Sequence, residues 1–473
     1  MADTSTIAFR KYFFMHTLND EQQQVKQAIR MMRGGDRLIV SGRAGSGKTY
    51  AIANSVAGRK ALFLAPTHPA CAVLSQELTE KYHTISTIHS AIGWHRQRDD
   101  DLYSVGGYRP AKEARSCQQG NEKEHKGWRS GVDIIIVDEF SMVGSKLFMA
   151  VEDYATEFNL PVVYSGDPFQ LPPVKDRAVI MDQGFPAITL TKSIRFPEES
   201  EIYRLGETLR TSIESHPKDD VPYIFGGSEI QVVSGTDWIA RLTLAYQNDD
   251  RLLAVTSDNN SLLRLRRRIR GVDHDQLIDG DLVTSSKTDD LFRNGEQLTI
   301  NKVVRDMRVL NNVPRCFNRF GTLSVDGFNI SFMEDGRVAF ILADNSEVEK
   351  HSRSIRTLYQ AGAINRDQAV HVLDWIEQFQ SFELSALATV HKSQGRSMDT
   401  VFIDTNTVLK KPVWMSGKAH MRLLYTAITR AKKHVIFYEM RGYCKGDRSL
   451  ASGDVAALIQ QKQGNADQYD VAC

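Results

Sequence analysis

The sequence predicts an α/β fold built on two parallel sheets, because short apolar runs alternate with helix-compatible segments in two separate series. Such alternation is typical of parallel sheets that are covered by helices on both faces. A chain of 473 residues is also too long for a single core. The first series comprises Leu38–Val40, Ala61–Ala65, Asp133–Val137, Val162–Tyr164 and Ala187–Leu190, and the second comprises Arg251–Thr256, Thr400–Ile403 and His434–Tyr438.

Two segments interrupt these series and are predicted to be insertions. The first, residues 92–131, is polar, and its Gly106-Gly107 pair predicts the turn of a short hairpin. The second, residues 273–385, shows β-like alternation followed by a helical segment near Asp367–Phe379. We therefore expect one sheet domain from residues 1–91 and 132–196, a second from 197–272 and 386–445, the two insertions, and a Gly-, Asp- and Gln-rich tail at 446–473.

Composition narrows the classes of function. The 41% apolar content suits a globular protein, and no run approaches the 18 or so apolar residues of a membrane span, so we expect a cytoplasmic protein. The five cysteines lack C-x-x-C spacing, which argues against a disulfide framework or a zinc site. The formal net charge of +1 means that local basic surfaces must hold any polyanionic partner. The basic run Arg264–Arg270 alternates with apolar residues and is better explained as the solvated face of an amphipathic helix.

A phosphate-binding loop is the most specific motif in the chain. The segment from Gly42 to Thr49 fits G-x-x-x-x-G-K-[ST] and lies between a predicted strand and a predicted helix. In that context backbone N–H groups surround phosphate oxygens, Lys48 reaches the β- and γ-phosphates, and the Thr49 hydroxyl binds Mg²⁺. The pattern predicts a nucleoside triphosphate site formed by Gly42, Ala44, Gly45, Ser46, Gly47, Lys48 and Thr49.

Two further strands end in polar groups that suit hydrolysis of the triphosphate. Asp138 and Glu139 follow four β-branched apolar residues, so they are expected at the carboxyl edge of a sheet. Asp138 would hold Mg²⁺, and Glu139 would orient and deprotonate the attacking water. Gln170 follows the next strand and could sense the γ-phosphate, although a proline-stiffened turn also explains this segment.

The ordered motifs resemble the superfamily 1 helicases, most closely the RecD/Dda-like branch found in phages and bacteria. The resemblance rests on these segments: Leu18–Gln22, Gly42–Thr49, Ala65–Ala70, Ser86–Ser90, Asp138–Met142, Gly166–Pro173, Leu190–Phe196, Thr389–Ser397 and Leu424–Ala431. It implies that Gln22 contacts adenine, that Gln394 and Gly395 lie at the nucleotide, and that Arg195 and Arg430 act on the γ-phosphate, Arg430 as an arginine finger. The nucleic-acid contacts that it implies are Pro66, Thr67, His68, Ser86, Thr87, His89, Thr389, His391 and Ser393.

The resemblance further implies two RecA-like motor domains, each forming one wall of an ATP cleft, with a wedge as the first insertion and a mainly β, SH3-like second insertion. The implied activity is ATP- and Mg²⁺-dependent unwinding of DNA with 5′ to 3′ movement on a single strand. The implied partners are single-stranded and forked duplex DNA and single-strand-binding or replisome proteins, with no membrane, and the chain is expected to be a monomer. Two alternatives stay open. The chain could be an RNA-directed or protein-displacing translocase, or it could be a non-catalytic subunit whose ATP site gates assembly.

Overall fold

The computed structural model of the protein describes residues 17–78, 83–92, 94–108, 131–174, 176–215, 221–248, 252–272, 276–287, 289 and 291–445, without the side chains of 94–98 and 104–108. The predicted tail at 446–473 therefore lies outside the described residues. So do the first 16 residues and the part of the first insertion at 109–130.

Twelve α-helices are present in the described part of the chain. Two short 3₁₀ turns, Phe140–Met142 and Ile180–Gln183, supplement them. The helices are α1 (Asp20–Met31), α2 (Lys48–Ser55), α3 (His68–Glu77), α4 (Ile88–Ala91), α5 (Ser145–Glu157), α6 (Glu201–Glu214), α7 (Gly235–Gln247), α8 (Asn259–Arg270), α9 (Ser346–Gln360), α10 (Arg366–Glu377), α11 (Thr405–Val408) and α12 (Gly417–Ile428).

Twenty strands form five sheets in the same residues. The strands are β1 (Arg37–Gly42), β2 (Ala61–Ala65), β3 (Thr84–Thr87), β4 (Trp94–Arg98), β5 (Ser104–Tyr108), β6 (Ile134–Val137), β7 (Val162–Gly166), β8 (Ala187–Leu190), β9 (Ile224–Phe225), β10 (Ile230–Val233), β11 (Leu252–Thr256), β12 (Leu282–Ser285), β13 (Gln297–Asn311), β14 (Thr322–Phe332), β15 (Val338–Leu342), β16 (Phe382–Leu384), β17 (Leu387–Thr389), β18 (Met398–Ile403), β19 (Ala431–Tyr438) and β20 (Cys444–Lys445).

The first large sheet has six parallel strands in the order β3-β2-β6-β7-β1-β8. Its strands are apolar throughout because both faces are covered. Ile136 packs in a buried cluster with Val25 of α1, whereas its neighbour Ile135 packs in another cluster with Tyr154 of α5. This two-sided burial confirms the fold predicted for the first series of runs.

The second large sheet has five parallel strands in the order β10-β19-β18-β11-β17. One face packs on α6 and α12 through residues such as Leu209 and Leu424. Helix α8 carries the basic run, and its Leu262, Leu265 and Ile269 are buried, as expected for an amphipathic helix with solvated arginines.

The second insertion contains an antiparallel sheet in the order β15-β14-β13-β12-β16, together with helices α9 and α10. Helix α10 confirms the helical segment predicted near Asp367. Helix α9, Ser346–Gln360, was missed because its sequence is strongly polar and only Ser352 and Ile355 are buried. The SH3-like character of this insertion stays a prediction.

The first insertion contains an antiparallel hairpin of β4 and β5, but the predicted turn is wrong. Gly106 and Gly107 pair with Arg96 and His95 inside the ladder instead of forming the turn. The turn lies at residues 99–103, where the Asp99 carboxylate accepts a hydrogen bond from the backbone N–H of Tyr103 at 2.7 Å. Asp99 is a better turn residue than the glycine pair because its side chain closes the loop itself.

The described residues divide into two compact units. The first comprises those up to Pro168, Pro172–Lys192, and those from 276 to Ser385, so the second insertion packs with the first sheet. The second comprises Phe169–Leu171, residues 193–272, and those from Ala386 onward. The domain boundaries predicted above stay predictions. No helix in the described ranges is both long and apolar enough to cross a membrane.

Candidate functional site

The phosphate-binding loop connects β1 to α2 as predicted. Gly45 and Gly47 adopt left-handed backbone conformations, with φ of 79° and 77°, which glycine adopts without strain. Helix α2 begins at Lys48, so its positive dipole end faces the loop. The Lys48 Nζ donates hydrogen bonds to the carbonyl oxygens of Gly42 at 2.9 Å and Arg43 at 3.0 Å. The lysine thus lies over the loop, within reach of a bound phosphate.

The interior of the loop is tightly packed around two small residues. A Cβ atom at Gly42 would lie 2.8 Å from both the Leu190 carbonyl oxygen and the Ser46 hydroxyl oxygen, so only glycine fits there. The Ser46 hydroxyl is buried and has no hydrogen-bond partner among the described residues. An unsatisfied buried hydroxyl is unfavourable unless a ligand supplies its partner, which fits a loop that receives phosphate oxygens.

Gln22 lies beside this loop, and its side-chain amide makes hydrogen bonds within the protein. Its Oε1 accepts from the Asn19 backbone N–H at 3.1 Å, while its own N–H donates to the Asn19 side chain at 2.9 Å, a capping box for α1. Its Nε2 donates to the Ser46 carbonyl oxygen at 3.4 Å. The structure therefore connects Gln22 to the phosphate loop, and its contact with adenine stays a prediction.

The two predicted catalytic carboxylates follow β6 at the same carboxyl edge. Desolvation raises the pKa of Asp138, while the Ser165 side chain and the positive charge of Lys48 act in the opposite direction. Lys48 and Asp138 are thus close enough to interact electrostatically. Glu139 has φ of 55°, a left-handed conformation that costs a non-glycine residue roughly 1–2 kcal/mol. Backbone strain of this kind is concentrated at functional sites.

A magnesium ion fits the donor set at this edge. The Thr49 hydroxyl and the Asp138 carboxylate are oxygen ligands, which Mg²⁺ prefers. The described residues contain no group of three or more histidine, cysteine or acidic side chains that could hold a metal by themselves.

The first pair of candidate nucleic-acid segments follows β2 and β3. Thr67 caps α3 and Thr87 caps α4, each accepting a backbone N–H through its hydroxyl oxygen. A hydroxyl that accepts in this way keeps its own hydrogen for another acceptor, such as a phosphate oxygen. Pro66 precedes the first cap, and the Ser86 hydroxyl donates to the Thr87 carbonyl at 3.2 Å. The structure brings these segments together because β2 and β3 are adjacent.

Two histidines of these segments lie close together. Burial lowers the pKa of His68, with a further decrease from the positive charge of Arg293. Burial also lowers the pKa of His89, and His68 contributes. Both imidazoles are therefore neutral near pH 7 and serve as hydrogen-bonding groups.

Arg293 is a candidate contact that the sequence did not reveal. It belongs to the second insertion, and the loop that carries it packs on α3, where a Cβ atom at Gly295 would lie 2.7 Å from the Pro69 side chain. The exposed guanidinium of Arg293 is thereby held near His68. No sequence signal could have found it, because the contact joins residues more than two hundred positions apart.

The corresponding segment of the second unit follows β17. The Thr389 hydroxyl accepts from the Lys392 backbone N–H at 3.4 Å, and burial lowers the pKa of His391. Ser393 is fully buried, and its hydroxyl donates to the Val390 carbonyl at 2.7 Å. The structure does not present Ser393 to a ligand; its side chain closes the turn instead.

Three residues of the Gln170 segment are held inside the second unit. The Leu171 backbone N–H donates to the Thr426 hydroxyl at 3.0 Å, and the Gln394 amide donates to the Leu171 carbonyl at 3.2 Å. The Arg210 guanidinium lies 4.1 Å from the centre of the Phe169 ring. Gln170 itself is buried, and its Oε1 has no hydrogen-bond partner among the described residues.

Arg430 follows α12 and is only 3% exposed. Its guanidinium donates to the carbonyl oxygens of Thr426 at 3.1 Å and Arg396 at 3.3 Å, and to the Thr429 hydroxyl at 3.3 Å. These bonds fix the direction of the side chain. Gly395 adopts φ of 74° in the preceding loop.

Arg195 lies beyond β8 and is exposed, in contrast to Arg430. The Phe196 backbone N–H that follows it donates to the Ser193 hydroxyl at 3.0 Å. The roles of Arg195, Gln394 and Gly395 at the nucleotide stay predictions.

Comparison with known proteins yields two matched families, in order along the chain. The AAA domain family matches residues 17–216, and the UvrD-like helicase C-terminal domain family matches residues 384–438, together more than half of the chain. The chain is 23% identical to a protein of Bdellovibrio bacteriovorus named ATP-dependent DNA helicase Pif1, over 432 residues that cover 84% of this chain and 83% of the relative.

Solved structures with similarity to the chain include several Pif1 helicases. One describes DNA unwinding at forked duplex DNA by two coordinating Pif1 helicases, with 16% identity, a TM-score of 0.49 and coverage of 96% of this chain and 98% of that one. Pif1 from Candida albicans has 15% identity, a TM-score of 0.44, and coverage of 95% and 100%. Bacteroides Pif1 bound to single-stranded DNA has 16% identity, a TM-score of 0.44, and coverage of 96% and 98%.

A phosphate-binding loop on one parallel sheet and a helicase C-terminal module on a second define a motor ATPase of the helicase class. The chain belongs to the superfamily 1 DNA helicases, in the Pif1/RecD-like branch. The resemblance inferred from the ordered motifs and the α/β fold with two RecA-like domains are therefore confirmed. The chain is an ATP-dependent enzyme.

Proposed function

We propose that this chain moves 5′ to 3′ on single-stranded DNA and unwinds forked duplex DNA during replication, recombination or repair in the cytoplasm. The observation that carries the proposal is the order of loops along the carboxyl edge of the first sheet. The loops after β1 and β6 carry the candidate nucleotide residues, and those after β2 and β3 carry the candidate strand contacts. Strands β2 and β6 are adjacent, so one rigid sheet joins both sites. The polarity rests on the family resemblance alone.

The nucleotide site supplies the free energy for movement in this proposal. Lys48 binds the β- and γ-phosphates, Thr49 and Asp138 hold Mg²⁺, and Glu139 orients and deprotonates the water. The metal supplies positive charge that neutralises the phosphate oxygens. Arg430 and Arg195 stabilise the negative charge that develops as the γ-phosphate leaves.

The strand contacts support backbone recognition without base specificity. Thr67, Thr87 and Thr389 offer short hydroxyl donors, and His68 and His89 are neutral near pH 7 because burial lowers the pKa of each imidazole. Groups of this kind bind phosphate and sugar oxygens, which every sequence presents alike. The Bdellovibrio relative, named an ATP-dependent DNA helicase, supports DNA as the substrate.

The proposal is tested with the full chain on four substrates: single-stranded DNA, single-stranded RNA, and duplexes with a 5′ or a 3′ tail. We expect single-stranded DNA to stimulate ATP hydrolysis, and a duplex with a 5′ single-stranded tail to be unwound while one with a 3′ tail is not. Unwinding of only the 3′-tailed duplex would refute the polarity. Stimulation by RNA but not DNA would favour the RNA-directed alternative, and ATP binding without hydrolysis would favour the non-catalytic one.

The hairpin of the first insertion is our candidate for the wedge that separates the strands. Its tip is inserted into the second insertion: Leu102 is 0% exposed and belongs to a buried cluster with residues of α9 and α10. The Arg356 guanidinium donates to the Leu102 carbonyl at 3.3 Å and lies 4.4 Å from the centre of the Tyr103 ring. Arg366 donates to the Asp99 carbonyl at 3.2 Å.

Burial of the Leu102 side chain offsets the backbone strain at the tip of the hairpin. Leu102 has φ of 63°, which costs roughly 1–2 kcal/mol. Complete burial of a leucine side chain contributes roughly 1.5–3 kcal/mol, which offsets that strain. A wedge must keep its position when the motor pulls the duplex against it. The contacts of two arginines and one buried apolar side chain hold the tip in place. The Tyr103 side chain is about half exposed.

The bracing contact can be tested without removing the hairpin. We expect Leu102→Ala to lower the unwinding rate of the 5′-tailed duplex by about 10-fold while DNA-stimulated ATPase stays within about 2-fold, because only the tip loses its anchor. The matched control is Leu323→Ala, which removes a buried leucine of the same cluster outside the hairpin. Equal loss of unwinding in both variants would show that general stability of the cluster, not the hairpin tip, limits unwinding.

A further inference from the structure

An exposed apolar turn in the second unit has no role in the contacts described so far. The Met415 backbone N–H donates to the Pro412 carbonyl at 3.0 Å, which closes a β-turn with Val413 and Trp414 at its tip. Val413 is fully exposed and Trp414 is 81% exposed. Single exposed apolar residues are common, but an adjacent pair that includes a tryptophan indicates a contact surface.

The base of this turn is firmly held, so the exposure is a fixed feature. Val408 and Leu409 are fully buried in the core beneath the turn. The buried His420 ring nitrogen is 2.7 Å from the Val408 carbonyl oxygen, and the Lys411 Nζ donates to the Met415 carbonyl at 3.3 Å. The turn is thus anchored at its base, while the apolar side chains of Val413 and Trp414 at its tip are exposed.

The surroundings of the turn are positively charged. The segment from residue 405 to 420, which includes the turn, contains three lysines and no aspartate or glutamate. Lys410 and Lys411 precede the turn, and Lys418 lies in the first turn of α12. The preceding acid, Asp404, is hydrogen-bonded to the Tyr438 hydroxyl at 2.6 Å. The surface therefore suits a polyanion.

The turn also lies on the edge that carries the proposed strand contacts. Strands β17 and β18 flank β11 in parallel, so their carboxyl ends share one edge of the sheet. Hydrogen bonds join the loops there: Val390 donates to the Thr256 carbonyl at 2.9 Å, and Ser257 donates to the Thr407 hydroxyl at 3.2 Å. The loop that leads into the turn and the His391 segment thus leave the sheet at the same edge.

We propose that Trp414 stacks on a base of the bound single strand, with Lys410 and Lys418 against its phosphates. Aromatic stacking tolerates every base, because each base has a π-face, and the lysines add attraction that salt screens. A duplex offers no unstacked base to the indole, so the occupant is a single strand. This inference rests on the proposed function, since it extends the single-strand track of the same motor.

The experiment measures binding of fluorescein-labelled oligothymidylate to the full chain by anisotropy. We expect Trp414→Ala to weaken binding about 5- to 100-fold, and Trp414→Phe to retain most of the affinity. Phe225, an exposed aromatic in the separate β9–β20 sheet, provides the matched control Phe225→Ala, which should bind as the wild type does. An unchanged melting temperature reports that the Trp414 variants fold.

Oligonucleotides with a single abasic position test stacking directly. In the wild type, one abasic position should weaken binding by a factor close to that of Trp414→Ala, and the variant should be insensitive at that position. Wild-type affinity in Trp414→Ala, or equal abasic sensitivity in both proteins, would overturn the inference and assign the turn to another occupant. Failure of the wild type to bind the oligonucleotide at all would instead refute the proposed function.

Discussion

Replacing Lys48 with alanine is expected to lower ATP hydrolysis by about 10³-fold or more, since this ammonium group binds the phosphate on which charge accumulates. Its Nζ donates hydrogen bonds to the carbonyl oxygens of Gly42 and Arg43, so the side chain points into the loop that would receive the phosphates. Steady-state ATPase with saturating single-stranded DNA is the measurement. Lys146→Ala, an exposed lysine of α5 in the same unit, is the matched control and should hydrolyse ATP normally.

Glu139→Gln separates binding from hydrolysis at the same site. A general base contributes about 10²- to 10⁴-fold to rate, and glutamine is close to glutamate in shape but cannot accept the proton. We expect this variant to retain ATP affinity, to lose turnover by that factor, and to remain on single-stranded DNA in the ATP-bound form. Hydrolysis at the wild-type rate would show that another group deprotonates the water.

The elements that the sequence predicted well are those with strong local signals. Runs of β-branched residues such as Ile134–Val137 can be buried only as interior strands, and both faces of that strand are in fact covered. The phosphate-binding loop could be predicted equally well, because its glycines and lysine must occur at fixed spacing for the backbone to surround a phosphate.

The features that escaped prediction depend on contacts between distant residues. Nothing local indicates that Leu102 is buried by α9 and α10, or that Arg293 lies near His68. The Gly106-Gly107 turn was wrong for the same reason: strand pairing along β4 and β5 outweighed the local turn preference of glycine. Tertiary packing decides such elements, and a single sequence does not display it.

The candidate strand contacts illustrate a second limit. Residue type suggested hydroxyl donors at Thr67, Thr87 and Thr389, but it could not distinguish the capping oxygens that the structure shows there from exposed donors, and their contact with nucleic acid stays a prediction. Ser393 belonged to the same pattern, yet its hydroxyl is buried against the Val390 carbonyl. A motif places a residue in a segment, whereas backbone geometry decides where its side chain points.

Arg430→Ala is expected to lower DNA-stimulated ATP turnover by at least about 10²-fold, or roughly 2.7 kcal/mol of transition-state stabilisation, with a much smaller loss of ATP affinity. The guanidinium is held by the carbonyl oxygens of Thr426 and Arg396, so its direction is fixed by contacts within the protein. Such preorganisation is what makes a charge effective in a transition state. Turnover and ATP affinity are measured separately as single-stranded DNA is increased.

Removing a buried arginine also leaves those carbonyl oxygens without a donor, so a control for stability is required. Arg430→Lys keeps the charge but loses the planar fork of the guanidinium. Compared with Arg430→Ala, it should restore the melting temperature more fully than it restores ATP turnover. Arg195→Ala provides the complementary case, because Arg195 is exposed and its loss should reduce turnover without lowering the melting temperature. If both arginines act on one transition state, the double variant should be hardly worse than either single one. Wild-type stimulated turnover in Arg430→Ala would instead assign Arg430 a purely structural role, that of fixing the loop at Arg396 to the end of α12.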